Sequence, residues 1–485
     1  MIRTLLSHYF PVFPEVFVTL STFVLMIYGL IRGEISYKML QMGVKTVLFV
    51  AIILCFVVFK EPVSLFHGHY DISMATQLAK AAILFMVFIL CFMGLPHFER
   101  EEIKQFEGPI LIVFATLGMM SLVSASDFMT LFMGIEILSL SLYILVAIQH
   151  NKVQSSEAGL KYFILGALST AILLYGISLL YGFSGTTDYE GIARALTDAR
   201  LENAYAIWIA FVFILASFAF KVSVAPFHMW TPDVYEGSPT PITAFLASAP
   251  KFAVIFALLR LVENVIAPLL VSTYDLLIGL SIASMLLGAI AGLFQTNIKR
   301  LLAYSTISHM GYSLLGFLKL SPEGSTSIFF YLFTYALTSL GVFACILNLR
   351  RHGRLVEELR DLSGLAKENR LVACCLAILL LSFAGIPPFI GFFAKFLVFK
   401  TAVDGGFYIT AGIGVVASVI AATYYLKVVK IMFFDELLSE GGSGRLDRHM
   451  TWQTVWVMVG VTIFVLTYLI YPDFLLSMIS TVFKA

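Results

Sequence analysis

The stretch FAFKVSVAPFHMW, residues 218–230, sets Lys221, Pro226 and His228 inside a run that is otherwise apolar or small. The whole run extends from Ala204 to Glu236, longer than the roughly twenty apolar residues that cross a bilayer. A proline within a helix removes a backbone donor and clashes with the preceding turn. At membrane depth such a break is tolerated where the freed backbone faces protein or water rather than lipid. A second stretch repeats the pattern. AGIPPFIGFFAKF, residues 384–396, carries Gly385, Pro387, Pro388 and Lys395 within the run Leu371 to Thr401. Both read as interrupted membrane helices, and in corresponding positions of two halves such helices point to a transport site.

Composition agrees. Of 485 residues, 60% are hydrophobic and 13% charged, about half the charge of a soluble domain. So few ions cannot coat a water-facing surface, and the chain reads as an all-α protein in the lipid bilayer. A net charge of +1 supplies no field for nucleic acid, so no nucleic-acid partner is expected. The cysteines (Cys55, Cys91, Cys345, Cys374, Cys375) lie in apolar runs without a CxxC pair and read as packing residues. Neither a phosphate-binding GKS/GKT loop nor an iron–sulfur spacing occurs, and the G-x-G at Gly412 and Gly414 has no strand before it.

Span length predicts fourteen transmembrane helices: 12–32, 41–59, 76–96, 108–125, 127–148, 157–182, 204–236, 241–263, 272–296, 299–319, 325–348, 371–402, 406–432 and 454–480. The first is read as an uncleaved span, not a signal peptide. Broken spans seven and twelve lie five apart and run in opposite directions. This predicts two inverted five-helix repeats, spans 4–8 and 9–13. The organisation is then a three-helix segment (1–107), a first repeat (108–263), a second (272–434) and a C-terminal helix (454–485). Lys221 precedes its proline whereas Lys395 follows its own, so the repeat is one of architecture and not of residue order. Loops after odd-numbered spans are richer in Lys and Arg, chiefly through Arg350, Arg351, Arg354, Arg360, Lys367 and Arg370. The positive-inside rule places that face in the cytoplasm and both termini outside.

An ionisable side chain at the bilayer centre costs roughly 2.5–3.5 kcal/mol on the insertion scale. This chain accepts the cost repeatedly: Glu136 in FMGIEILSL, Lys221, Lys251 in FLASAPKFAVIF, Lys395, and His309 in AYSTISHMGYSLL, with His228 just past Pro226. A lone buried lysine is as often structural as functional, and a lone buried histidine is usually a hydrogen-bonded packing residue. Here Glu136 is the one evident mid-span acid for three lysines. Low dielectric penalises a charged form that lacks a partner, so an amine in this position can exchange protons. Two unit charges about 4 Å apart interact by about 4 kcal/mol at an effective dielectric near 20, enough for Glu136 to control whether Lys221 keeps its proton or releases it toward Lys251. Hydroxyls nearby, among them Ser217, Ser223, Thr243, Ser248, Tyr304, Ser305, Thr306 and Ser308, can hold water or simply bond their own backbone. Tyr424 and Tyr425 read as anchors or packing.

Four blocks (121–147, 220–251, 295–312 and 384–396) resemble the antiporter-like membrane subunits of respiratory complex I (NADH-quinone oxidoreductase). Among the three paralogues the 220–251 block resembles the N subunit type. Lys395 agrees, since the M type has a glutamate there, and the long C-terminal extension of the L type is missing. The resemblance implies a proton relay: Glu136 as the fifth-helix glutamate, Lys221 its seventh-helix partner, Lys251 the eighth-helix lysine, Lys395 the twelfth-helix lysine near proton exit, and His309 on a polar central axis. It implies M-, K- and J-type subunits as partners and a bacterial inner membrane, in which the orientation read from the Lys and Arg counts puts both termini on the periplasmic side. It also implies no cofactor in this chain, with FMN, iron–sulfur clusters, NADH and quinone handled by other subunits. Two other readings stay open at this point: a subunit of a multisubunit cation/proton antiporter, and a structural membrane scaffold. A membrane-bound hydrogenase subunit shares the same pattern.

Overall fold

The computed structural model describes residues 9–59, 61–101, 103–198, 204–266, 270–351, 353–436, 447, 450–468 and 472–484. Its helices are α1 (Phe13–Arg32), α2 (Tyr37–Val58), α3 (Met74–Arg100), α4 (Glu107–Ser124), α5 (Phe128–Val146), α6 (Val153–Ser184), α7 (Tyr189–Asp198), α8 (Ala204–Val222), α9 (Trp230–Gly237) and α10 (Thr240–Leu246). There follow α11 (Ala249–Leu261), α12 (Leu270–Leu293), α13 (Ile298–Leu314), α14 (Pro322–Leu347), α15 (Leu365–Glu368), α16 (Arg370–Ala384), α17 (Ile390–Asp404), α18 (Tyr408–Phe434), α19 (Trp452–Thr467) and α20 (Pro472–Lys484). Two short hairpins complete it, β1 (Val63–Leu65) with β2 (Tyr70–Ile72) and β3 (Arg350–Arg351) with β4 (Arg354–Leu355). Among the described residues, ten helices are long and apolar enough to cross a membrane.

Both predicted breaks are present. α8 stops at Val222, where Ser223 turns to φ +68° ahead of the cis Ala225–Pro226 bond. α16 stops at Ala384, where Gly385 takes φ +79° ahead of the cis Pro387–Pro388 bond. Pro232, also within the run Ala204 to Glu236, sits in the opening turn of α9. There the missing N–H would have had no partner anyway. The eighth span is also interrupted. Ala247 and Ser248 separate α10 from α11, and Ser248 turns its hydroxyl back onto the Ala244 carbonyl. The single C-terminal helix expected over 454–480 is two helices, α19 and α20, with 469–471 outside the described residues. Most of residues 435–450, between the thirteenth and fourteenth predicted spans, lies outside them too, as do residues 1–8. The segment between the sixth and seventh predicted spans contains helix α7.

The chain forms two compact units. The first comprises residues 1–91, 101–222 and 249–273. In it α4 packs on α5, α5 on α6, α6 on α8, and α11 on both α4 and α8. α4 and α5 meet backbone to backbone: a Cβ at Gly118 would lie 2.7 Å from Leu138 N, and one at Gly134 2.9 Å from Leu122 N. Only glycine permits that approach, and it fixes the helix that carries Glu136. The turn between them ends in Asp127, whose carboxylate accepts from Met129 N and Thr130 N as the N-cap of α5. The second unit comprises 92–100, 223–248 and 274–485. α14 is its centre, buried nearly throughout and packed by α16, α17, α19 and α20.

Candidate functional site

In the first unit, Lys221 is the penultimate residue of α8. Its amine donates to Ser139 Oγ at 2.7 Å and Tyr143 Oη at 3.2 Å, and lies 5.6 Å over the Tyr143 ring. Ser139 and Tyr143 stand three and seven residues after Glu136, so all three share one face of α5. Glu136 is half-buried, with its Oε1 enclosed and without a hydrogen-bond partner among the described residues. The sequence suggests a close Glu136–Lys221 pair. Instead the amine rests on two neutral hydroxyls, one and two helical turns along α5 from the carboxylate.

Lys251 is the third residue of α11, next to the Ala247–Ser248 break. Its amine donates to the main-chain oxygen of Lys221 at 3.1 Å. The last carbonyls of α8 have no partner within their own helix, and the negative end of the helix dipole favours a cation there. The break in α8 thus leaves an acceptor that the second lysine occupies. Glu136, Ser139, Tyr143, Lys221 and Lys251 form one cluster.

The second unit uses the same device. Lys395 Nζ donates to the oxygen of Ala384, the last residue of α16, at 3.1 Å. It also donates to Ser418 Oγ at 2.8 Å and lies 4.9 Å over the Tyr312 ring. His309 is buried between two phenols, with Nδ1 2.7 Å from Tyr331 Oη and Nε2 3.2 Å from Tyr425 Oη. Tyr425 also meets Ser305 Oγ. His228 is half-buried in the bend before α9, its Nδ1 without a partner among the described residues. No hydrogen bond or ion pair joins it there to His309 or Lys395.

Sequence reasoning missed several of these groups. Ser139 and Tyr143 were detectable as the i+3 and i+7 neighbours of Glu136. Tyr425, read as an anchor or packing residue, is a buried partner of His309, and Tyr331 carried no signal. Glu136 is not the sole membrane acid either: Glu15 of α1 is buried and pairs with Lys80 of α3. That pair sharpens a contrast. Lys80 and Lys299, both buried, meet acids (Glu15 and Glu357). Lys221 and Lys395 rest on hydroxyl and carbonyl oxygens, with no acid within 4 Å among the described residues. Other candidate hydroxyls are bonded within the protein: Thr306 to the Leu302 carbonyl of its own helix, Ser217 to Ser169 and Ser308 to the Met285 carbonyl of neighbouring helices.

Buried amines at the ends of broken helices, in a membrane-spanning all-α frame, define an ion-translocating membrane subunit. Residues 125–421 match the family described as NADH:quinone oxidoreductase/Mrp antiporter, transmembrane. NADH-quinone oxidoreductase subunit N of Paramagnetospirillum magneticum is 41% identical over 475 residues, 97% of this chain and 96% of that protein. Subunit N 1 of Rhizobium meliloti is 50% identical over 345 residues, 71% and 72% of the two chains. A chain of respiratory complex I from Thermus thermophilus with bound aureothin superposes with TM-score 0.80 at 28% identity, covering 96% of this chain and 98% of that one. A chain of the Mrp complex from Dietzia sp. shares the fold, with TM-score 0.84 at 21% identity over 99% and 97% of the two chains. The present chain belongs to the NADH:quinone oxidoreductase/Mrp antiporter family, in its NADH-quinone oxidoreductase subunit N branch.

Proposed function

We propose that this chain moves protons across the membrane as a subunit of an NADH-quinone oxidoreductase, through Glu136, Lys221 and Lys251 in one unit and His309 and Lys395 in the other, with His228 in the bend between α8 and α9. The observation that carries the reading is the bonding of Lys221. Its amine is buried but held by Ser139 and Tyr143 instead of by an acid. Neutral oxygens can hold an amine whether or not it carries the extra proton, so the group is free to change state. In this reading a carboxylate one turn from Ser139 biases that state, and Lys251, bonded to the Lys221 carbonyl, receives the proton.

The same reading takes in the fourteen spans, the two inverted five-helix repeats flanked by a three-helix segment and a C-terminal helical segment, and termini on the periplasmic side of a bacterial inner membrane. The paired breaks after α8 and α16 support it. M-, K- and J-type subunits would be its neighbours, and FMN, iron–sulfur clusters, NADH and quinone would be handled elsewhere in the assembly.

The test is proton movement per quinone reduced in membranes bearing the assembled complex. Glu136→Gln and Lys221→Ala should lower it sharply while the complex still assembles. A normal ratio in assembled Lys221→Ala would sink the proposal. Lys221→Arg should restore little, because a guanidinium does not give up its proton.

A further inference from the structure

We propose that Arg260, a residue outside the relay, is the positioning residue that sets the geometry of Lys251 and Glu136; this rests on the relay reading above. Arg260 is at the far end of α11. Its Nη1 donates to the carbonyls of Val123 (3.0 Å) and Ala125 (3.4 Å), and its Nη2 to Asp71 Oδ2 (2.8 Å) and Ser126 Oγ (3.3 Å). Its side chain is only 11% exposed.

The reasoning starts from the break before Lys251. Because the chain is interrupted at Ala247–Ser248, no continuous helix leads into α11 on that side. Besides its packing on α4 and α8, this short half-helix is held at its other end, by Arg260. Nine residues separate Lys251 from Arg260, about 14 Å along a helix, so a rigid clamp on Arg260 fixes how far the Lys251 amine reaches toward the Lys221 carbonyl. The chain leaves α11 through a π-helical turn, Val262–Ile266, where Asn264 Nδ2 donates to the Arg260 carbonyl and braces that end.

The same guanidinium controls the acid. Val123 and Ala125 lie at the C-terminal end of α4, where helix carbonyls lack partners. Two residues later Asp127 caps α5, and Glu136 lies nine residues along that helix. The clamp therefore grips the chain at Ser126, ten residues before Glu136, and at Arg260, nine residues after Lys251.

What holds the clamp is the β1–β2 hairpin. Successive strand residues face opposite ways. Tyr70 faces inward and donates to Glu15 Oε1 at 2.8 Å, in the buried pair with Lys80. Asp71 faces the other way and takes Arg260. The first three helices, which carry no predicted relay group, thus anchor the hairpin that holds the relay helices.

The experiment uses the intact complex in native membranes with Arg260→Gln, Arg260→Lys, Asp71→Asn and, as a control on the relay itself, Lys251→Met. Protons moved per quinone reduced are measured across a pH series. In assembled Arg260→Gln the ratio should fall at least ~tenfold, since small misplacements of reacting groups are costly, and its pH profile should shift. Arg260→Lys keeps the charge but not the fork of donors, and should recover part of the ratio. A wild-type ratio and profile in assembled Arg260→Gln would overturn the proposal. If that variant does not assemble, Asp71→Asn decides by the same two readouts. Normal pumping in Lys251→Met would defeat the relay reading whatever Arg260 does, so the two failures are distinguishable.

Discussion

The amine of Lys251 donates to the main-chain carbonyl of Lys221 across 3.1 Å, so the two lysines are joined through backbone rather than through a shared acid. The bond exists because α8 ends where it does: an uninterrupted helix would have spent that carbonyl on its own ladder. Lys395 on the Ala384 carbonyl repeats the arrangement in the second unit. The prolines therefore do more than bend the chain, since they expose the acceptors on which two of the three amines rest.

Replacement of Lys251 tests that bond directly. Lys251→Met keeps the length and apolar stem of the side chain but removes the amine. We expect an assembled complex whose pumping ratio is strongly reduced. Lys251→Arg should assemble and restore little, because it keeps the helix-end hydrogen bond but not the exchangeable proton. If Arg restores the full ratio, the residue is only a cap for α8.

Gly166 of α6 leaves room for the Tyr143 hydroxyl. A Cβ there would overlap Tyr143 Oη, so the tyrosine would have to move. Gly166→Ala should push Tyr143 off the Lys221 amine and lower both stability and pumping. Tyr143→Phe removes the nearest of the clashing atoms, the oxygen, and so relieves the overlap in part, since the ring carbons stay. Thermal stability of the double mutant should then exceed that of Gly166→Ala alone, a coupling visible in a double-mutant cycle. Strict additivity would show that the two residues do not meet.

Much of this was legible beforehand. Pro226 and the pair Pro387–Pro388 announce their breaks because proline acts locally and irrespective of partners. The buried lysines and Glu136 stand out because a membrane makes every charge conspicuous. The third break was hidden: Ala247 and Ser248 are ordinary residues in membrane helices, and the interruption follows from packing around them. Glu15 was passed over because it sits near the start of its span, where an acid reads as solvated. Its burial depends on Tyr70, fifty-five residues away, a distance at which no local pattern helps. The hairpin that brings Tyr70 there has strands of three residues, too short for alternation to register.

The Glu15–Lys80 pair should behave unlike the relay lysines. Both side chains are buried, so removing one partner strands a charge, at a cost of about 3–5 kcal/mol. Lys80→Met or Glu15→Gln should therefore lower the thermal stability or yield of the assembled complex. Replacing both, as Lys80→Met with Glu15→Leu, should recover much of the loss. Lys395→Met, which leaves only neutral oxygens behind, should be far milder in the same assay. Equal losses for Lys80→Met and Lys395→Met would refute the distinction between paired and exchangeable lysines.

His309 offers a sharper test, since both its ring nitrogens face phenols. A neutral imidazole donates through one nitrogen and accepts through the other, and each tyrosine hydroxyl can do either. Tyr331, His309, Tyr425 and Ser305 can thus reverse the direction of all their hydrogen bonds without moving a heavy atom, as a proton-passing chain requires. Tyr425→Phe takes away the partner of Nε2 and Tyr331→Phe that of Nδ1. If protons pass through His309, either change should cut pumping and enlarge its solvent isotope effect, and the double mutant should be little worse than the worse single one, because a chain interrupted once is already interrupted. If His309 only packs, both variants should pump normally, and the loss of each buried hydrogen bond should appear as about 1 kcal/mol of stability. Pumping assays in light and heavy water on the two single mutants and the double mutant separate these outcomes.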